Sequence, residues 1–332
     1  MNGVSVVLCC YNSQKRLVST LKHLAAQVVK SSIPWEVVLV DNNSTDQTAI
    51  IAKELWDDYG TPAELSVLFE NTPGLYFARQ KGIVASKFDY IIFCDDDNWL
   101  ATDYVERVYD TLSTDSSIGI LGGQTFGVYE STPPDWFLES ALNFAIGKQG
   151  EKTGYLSDEH WGVWGAGSAY NKMLFEKLDE ILFKPIFIGR TGKKLTSGED
   201  RELCVVARKL GFKIFYDEEL QCSHYMPSSR FNKDKFIEMS YVNGHSAPVF
   251  RYLEKPELFS FRDIGYSFLK SVWFMLKTRT SISKATMSPL TKTYLEIKGV
   301  ARKQFEIILL LKKYKRLFNN RELLLSKNTF EN

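Results

Sequence analysis

The chain has 332 residues, 44% of them hydrophobic and 24% charged, and a formal net charge of +1. These values are ordinary for a soluble globular protein with one large domain or two small ones, and they give no indication of a polyanionic partner. The five cysteines are odd in number and have no CxxC spacing, which excludes a disulfide framework and favours a reducing cytosol.

The charge is unevenly distributed along the chain. Residues 270–332 contain 14 Lys and Arg against 4 Asp and Glu, a balance of +10 that leaves −9 for the first 269 residues. Apolar residues of this basic segment share helix faces, a pattern typical of amphipathic helices on an anionic membrane surface. A helical subdomain that packs on the rest of the chain, or a dimer interface, is an equally open alternative.

The first residues lack the layout of a signal peptide, and no apolar run reaches 18 residues, so no membrane span is predicted. We therefore expect a cytoplasmic protein, either free or peripheral on the inner face of the membrane.

In chain order, short apolar runs alternate with helical patterns through the first half of the sequence. Strands are predicted at residues 4–9, 37–40, 65–69, 90–94 and 118–121, with helices between them and Ser13 as the first cap. This alternation predicts a parallel sheet with helices on both faces.

The second half of the chain has a different pattern. Residues 126–164 are rich in aromatic residues, Gly and Pro, which favours a substrate-binding wall on an α/β core. Helices are predicted near residues 172–181 and 199–210, a loop at 185–198, and a short strand at 212–215. Beyond residue 256 the pattern is mostly helical.

Three consecutive aspartates, Asp95, Asp96 and Asp97, directly follow the apolar run at 90–94. Carboxylates at the end of a buried strand repel one another and lose hydration, so a positive group is needed beside them. A divalent cation is the favoured candidate because Mg²⁺ is often held by one or two carboxylates and substrate phosphates; a solvated acidic turn is the alternative. Since ligands of parallel sheets bind beyond the carboxyl ends of the strands, Asp41 should converge on the same rim.

Five motifs, in order and spacing, resemble those of the family 2 glycosyltransferases over about residues 3–225. They are the strand and Tyr-Asn turn at 4–12, the Asp and Ser-Thr-Asp loop at 38–46, Gly74-Leu75 with Ala78-Arg79, the DxD pattern Asp95-Asp96-Asp97, and Gly198-Glu199-Asp200.

The resemblance implies a GT-A fold, an α/β Rossmann-like arrangement with a mostly parallel twisted sheet, helices on both faces, and a helical C-terminal region. It places a catalytic domain at residues 1–255, with a nucleotide-binding half at 1–125 and an acceptor-binding half at 126–255. Residues 256–332 form the basic helical region.

The resemblance also implies an inverting, metal-dependent transferase that uses a nucleotide-sugar donor. Donor binding is assigned to Cys9, Tyr11, Asn12, Asp41, Asn71, Arg79, Asp95 and Asp96. An aspartate at the position of Asp41 suits the N3–H of uracil, which favours a UDP-sugar, although thymine offers the same group. Arg79 is expected to pair with Asp41, Asp95 or the diphosphate.

For the cation, Mn²⁺ or Mg²⁺, the resemblance implies direct binding by Asp97, with Asp95 and His224 as further ligands. Asp200 is implied as the catalytic base, with Glu199 second, and the alternative is that both merely enrich a helix N-terminus. Trp164, Gly165 and Ala166 resemble the loop that binds the acceptor, a saccharide or lipid-linked hydroxyl in surface-glycan synthesis.

Other classes fit less well. A sugar-1-phosphate nucleotidyltransferase is expected to carry a Gly-rich basic loop after the first strand, where this chain has Cys9-Cys10-Tyr11-Asn12-Ser13. A non-catalytic sugar- or nucleotide-binding protein is expected to have lost Asp97 or Asp200. The helical, aliphatic tail argues against a nucleic-acid partner.

The absence of a clear Gln-x-x-Arg-Trp motif argues against a processive synthase. The nearest stretch is Ser228-Ser229-Arg230-Phe231. Oligomeric state is not readable from the sequence.

Overall fold

The structure is a computed structural model that describes residues 1–189, 198–234, 236 and 250. The expectations for the basic region at 256–332, and for most of the loop at 185–198, lie outside the described residues.

Nine strands form one sheet within the described residues, in the order β3-β2-β1-β4-β8-β6-β9-β5, and β7 pairs with β9. The strands are β1 (Val4–Cys10), β2 (Trp35–Asp41), β3 (Glu64–Phe69), β4 (Tyr90–Asp95), β5 (Asn98–Leu100), β6 (Ile118–Tyr129), β7 (Gly154–Tyr155), β8 (Ala169–Asn171) and β9 (Lys213–Met226). The α-helices in the same part of the chain are α1 (Leu17–Ala25), α2 (Thr48–Asp58), α3 (Leu75–Ala85), α4 (Tyr104–Thr114), α5 (Asp135–Leu138), α6 (Lys172–Glu180) and α7 (Glu199–Lys209).

Successive side chains of a strand point to opposite faces of the sheet, and those of β1 are mostly apolar and buried on both faces. Helices therefore cover both faces. Leu17 of α1 and Trp56 of α2 join the buried core together with Val6 of β1. On the opposite face, Gly82 of α3 lies against Val7, and a Cβ atom on Gly82 would come 2.3 Å from Cγ1 of Val7. Glycine therefore lets α3 approach β1 closely.

The four strands β3-β2-β1-β4 are parallel, as the alternation of strands and helices predicts. Their register places Cys10 beside Asp41 and Cys9 beside Asp95. Both acids therefore lie at carboxyl ends of strands, on one edge of the sheet. Beyond β4 the sheet is mixed, because β8 is antiparallel to β4 and β6, whereas β6 and β9 are parallel.

The prediction of a short strand at 212–215 was wrong, since β9 has 14 residues. Polar residues Asp217, Glu218 and Glu219 interrupt the apolar pattern, and the register with β6 shifts between Tyr216 and Gln221. The continuation of β9 carries His224 to the site. β6 likewise runs to Tyr129, across the predicted boundary between the two halves at residue 125.

No helix in the described part of the chain is both long and apolar enough to cross a membrane. All five cysteines are free thiols, and all are buried.

Candidate active site

Asp41 and the three aspartates lie on the same edge of the sheet. β1 separates β2 from β4, and neighbouring strands are about 4.8 Å apart, so Asp41 and Asp95 are about 10 Å apart across the edge. Asp41 is buried, and its Oδ1 accepts the N–H of Ser44 at 3.0 Å. The expected convergence of these acids on one rim therefore holds for the strands that carry them.

The loops after β1 and β2 are bound to each other beside Asp41. Asn12 has a φ of +50°, and its Oδ1 accepts the N–H of Thr45 at 2.8 Å. The Asn12 N–H in turn donates to Oγ of Ser44 at 2.9 Å. The preceding Tyr11 is 54% exposed, so its ring is available at the rim. Of the other predicted donor contacts, Cys9 is buried in β1, and Asn71 is exposed in the loop after β3.

Each of the three consecutive aspartates contacts a different arginine. The pairs are Asp95 with Arg79, Asp96 with Arg16 and Asp97 with Arg230, with shortest N–O distances of 3.9, 2.6 and 2.9 Å in that order. The crowded carboxylates thus have protein cations beside them, and crowding alone does not require a metal ion. Arg16 and Arg230 are not predicted as site residues, because neither belongs to a motif of the resemblance.

Asp96 faces α1. Its carboxylate accepts hydrogen bonds from Arg16 Nε at 3.0 Å and from Oγ of Ser13, and its carbonyl oxygen accepts one from Oγ1 of Thr20 at 2.7 Å. These contacts tie the aspartate turn to the start of α1. The assignment of Asp96 to donor binding stays a prediction.

Asp97 and His224 meet because β5 and β9 are antiparallel and pair Asn98 with His224. Nε2 of His224 lies 3.4 Å from Oδ1 of Asp97, while Arg230 binds Oδ2. Burial raises the pKa of Asp97, but His224 and Arg230 more than offset this, so the pKa lies well below its usual value. Asp97 is therefore ionised near neutral pH, as a metal ligand must be.

The geometry around Asp97 fits a cation held by few protein ligands. Adjacent ligands of an octahedral Mg²⁺ lie roughly 3 Å apart, close to the separation of His224 Nε2 and Asp97 Oδ1. Nδ1 of the buried His224 has no hydrogen-bond partner among the described residues. No group of three or more His, Cys, Asp or Glu side chains suited to a metal ion occurs in the same part of the chain. The remaining ligands would then come from a bound diphosphate and water.

Asp200 lies in the first turn of α7 and is bound from two other segments. Its Oδ1 accepts a hydrogen bond from Nη1 of Arg79 at 3.2 Å, and its Oδ2 accepts the N–H of Gly165 at 2.7 Å. Arg79 therefore contacts both Asp200 and Asp95. Asp95 is one of the partners predicted for Arg79 from the sequence. The neighbouring Glu202 has a different role, because it is buried and accepts the N–H groups of residues 186 and 187.

The predicted acceptor loop lies beside Asp200, with Gly165 in contact and Ala166 half-buried. Trp164 is only 8% exposed, and its indole N–H donates to Oγ1 of Thr125 at 3.3 Å. Trp161 packs against Trp164, with ring centroids 6.0 Å apart and the rings tilted by 33°, and it is 37% exposed. The more accessible indole face of this loop therefore belongs to Trp161.

A family model described as Glycosyl transferase family 2 matches residues 5–179, more than half of the chain. The chain therefore belongs to glycosyltransferase family 2, as the five motifs indicated.

Curated relatives carry glycosyltransferase names. The cholesterol galactosyltransferase of Borreliella burgdorferi is 27% identical over 114 residues, 34% of this chain and 30% of that protein. The poly(ribitol-phosphate) beta-N-acetylglucosaminyltransferase TarP of Staphylococcus aureus is 27% identical over 124 residues, 37% of this chain and 36% of that protein. The amylovoran biosynthesis glycosyltransferase AmsB of Erwinia amylovora is 26% identical over 230 residues, 67% of this chain and 69% of that protein. This chain thus spans about a third of the first two relatives and more of the third.

Crystal structures of residues 1–349 of TarS from S. aureus have the same fold. The complex with UDP has a TM-score of 0.52 at 17% identity, covering 92% of this chain and 91% of that one. The complex with UDP-GlcNAc also has a TM-score of 0.52, with 92% of each chain covered. The predicted GT-A fold is therefore confirmed.

Proposed function

We propose that this chain is an inverting, metal-dependent glycosyltransferase that transfers a sugar from a nucleotide diphosphate sugar, preferably a UDP-sugar, to an acceptor hydroxyl. The acceptor is a saccharide or a lipid-linked saccharide in surface-glycan synthesis. The names of AmsB and TarP and the UDP-bound TarS structures support this choice.

One observation carries the proposal. Arg79 contacts both Asp95, at the carboxyl end of β4, and Asp200, at the start of α7. These acids are 105 residues apart in sequence, yet one guanidinium lies between them. An acid on the donor side and an acid that can act as a base thus belong to one site.

In the proposed reaction, the Asp200 carboxylate removes the proton from the acceptor hydroxyl. The hydroxyl oxygen attacks the anomeric carbon from the face opposite the diphosphate. The bond between that carbon and the diphosphate oxygen breaks, and its electron pair stays on the oxygen. Configuration therefore inverts, and the products are the glycosylated acceptor and a nucleoside diphosphate. Glu199 is the second choice for the base.

Asp97 and His224 are the proposed protein ligands of Mn²⁺ or Mg²⁺, with Asp95 as a further contact. A cation bound there supplies positive charge for the leaving diphosphate. Asp41 and Tyr11 hold the nucleobase. Asn12 joins the loops that carry them, because its side-chain oxygen accepts the N–H of Thr45.

The domain boundaries at residues 125 and 255, and a location on the inner face of the membrane, stay predictions from the sequence. The membrane contact belongs to the basic region at 256–332, where the positive charge is concentrated.

The test measures nucleotide release by the full chain from a panel of UDP-, GDP- and dTDP-sugars, with and without Mn²⁺ or Mg²⁺. We expect UDP from UDP-sugars, and loss of turnover in EDTA and in Asp97→Asn. Asp200→Asn should bind UDP normally but turn over at least about 100-fold more slowly, because it cannot take up the proton.

Asp103→Asn is the matched control, because it changes an exposed acid at the N-cap of α4. Its turnover should be close to that of the unmodified chain. Full turnover in EDTA would contradict the metal, and normal turnover of Asp200→Asn would contradict the base. Cleavage of the donor by added inorganic pyrophosphate into a nucleoside triphosphate and a sugar 1-phosphate, instead of nucleoside diphosphate release, would indicate a nucleotidyltransferase.

A further inference from the structure

Both carboxylate oxygens of Asp200 are bound by groups outside its own helix. Arg79 of α3 contacts Oδ1, and the backbone N–H of Gly165 contacts Oδ2. We propose that Arg79 and Gly165, here named the Asp200 clamp, position this carboxylate toward the acceptor. The inference rests on the proposed role of Asp200 as the base.

The first half of the clamp is a guanidinium held from several sides. The Arg79 side chain is only 11% exposed, and its guanidinium carbon lies 4.8 Å above the ring of Phe93. Arg79 is therefore a fixed positive charge beside Asp200.

The second half of the clamp requires a glycine. A Cβ atom on Gly165 would come 2.5 Å from Oδ1 of Asp200 and 2.8 Å from Nη2 of Arg79. Any side chain at this position would therefore push the ion pair apart, although it would remove no charge. This makes Gly165 a site where the geometry of Asp200 can be changed without changing its chemistry.

The loop that carries Gly165 is fastened to the strand that carries Asp95. The N–H of Phe93 donates to the carbonyl oxygen of Ser168 at 2.9 Å, and Oγ of Ser168 donates to the carbonyl oxygen of Gly165 at 3.0 Å. Phe93 of β4 therefore packs under Arg79 with its ring and binds the loop of Gly165 through its backbone N–H. Both halves of the clamp are held by the same strand. A base held this way needs little reorganisation when substrate binds.

A positioning role and a donor-binding role for Arg79 predict different kinetics. If Arg79 bound the diphosphate, its loss would raise the KM for the donor. If it positions Asp200, its loss lowers kcat and leaves the donor KM nearly unchanged, because the interaction matters in the transition state and not in donor binding. Gly165→Ala should then give the same effect as Arg79→Met.

The experiment measures kcat and donor KM from UDP release by the full chain with a UDP-sugar and Mn²⁺, using water as acceptor. We expect Gly165→Ala and Arg79→Met to lower kcat about 100-fold, with donor KM within about twofold of the unmodified value. Arg79→Lys should recover part of kcat because it restores the charge without the planar fork. Gly211→Ala, two residues after the end of α7, is the control that keeps kcat: its φ of +87° strains an alanine, but a Cβ there meets nothing within 4 Å.

Normal kcat in Gly165→Ala would overturn the clamp, and so would a raised donor KM with normal kcat in Arg79→Met. If Arg79→Met fails to fold by circular dichroism, Gly165→Ala alone decides the question. Asp200→Asn is measured in parallel, and normal turnover of that variant would contradict the proposed base instead of the clamp.

Discussion

The two halves of the sheet are built differently. In the first half, β1 to β4, the strands are parallel to their neighbours and are joined by helices in a regular alternation. In the second half, β5 to β9, parallel and antiparallel pairings are mixed. The first half presents Asp41 and the three aspartates, whereas the second half presents Asp200 and His224.

This difference explains how the site is assembled. The acids of the first half follow directly from strand ends, so their position is determined by local sequence and register. The groups that contact the three aspartates come from both halves: Arg16 and Arg79 belong to the first, whereas Arg230 and His224 lie in or after β9. Arg79 is the clearest link, because this first-half residue pairs with Asp200 of the second half.

The largest expected effect on stability comes from a substitution of Gly82 in the first half of the sheet. Gly82→Ala places a methyl group 2.3 Å from Val7 Cγ1 in the buried contact between α3 and β1. We expect the free energy of unfolding to fall by about 2 kcal/mol, because overpacking forces a backbone shift. Urea denaturation followed by circular dichroism measures this change.

Gly60→Ala is the control, since Gly60 has a φ of +82° but a Cβ there meets nothing within 4 Å. Its cost is about 1 kcal/mol and comes from backbone conformation alone. If Gly82→Ala were no more destabilising than Gly60→Ala, close packing of α3 would not be what holds this face together.

The sequence predicted the first half well, because strands at 37–40 and 90–94 are uninterrupted apolar runs ending in acids. It predicted the second half poorly, because the polar residues 217–219 interrupt the apolar pattern of β9. The acids of the site could be named from motifs. Their arginine partners could not, since Arg16 and Arg230 lie outside these motifs and their neighbours are set by tertiary packing. The contact of Gly165 with Asp200 likewise depends on a backbone approach that carries no sequence signal beyond the glycine itself.

A smaller effect should distinguish a bracing role of Asp96 from donor binding. Asp96→Asn and Arg16→Met both break the pair at 2.6 Å, so each should lower the free energy of unfolding by about 1 kcal/mol after allowance for solvent screening. If the pair is a brace, the double variant should be little worse than either single variant. Urea denaturation measures stability, and calorimetry with UDP measures donor binding.

Under the bracing role, both single variants should weaken UDP binding to a similar degree. If Asp96→Asn weakened UDP binding much more than Arg16→Met did, Asp96 would be a direct donor contact, as the sequence resemblance implies.

The smallest expected effect is a pH dependence of stability that comes from the second half of the sheet. Asp115, just before β6, accepts hydrogen bonds from Ser117 and from the hydroxyl of Tyr155 on β7, and these lower its pKa from 3.8 to about 2. Because the folded-state pKa is depressed, the stabilisation is present above pH 4 and is lost as the pH falls toward 2. Asp115→Asn should therefore destabilise the chain more at pH 7 than at pH 3 in urea denaturation. Tyr155→Phe removes one of these donors and should reproduce part of that difference. An equal effect of Asp115→Asn at both pH values would mean that these hydrogen bonds do not stabilise the link between β6 and β7, and that the mixed half depends on its strand pairing alone.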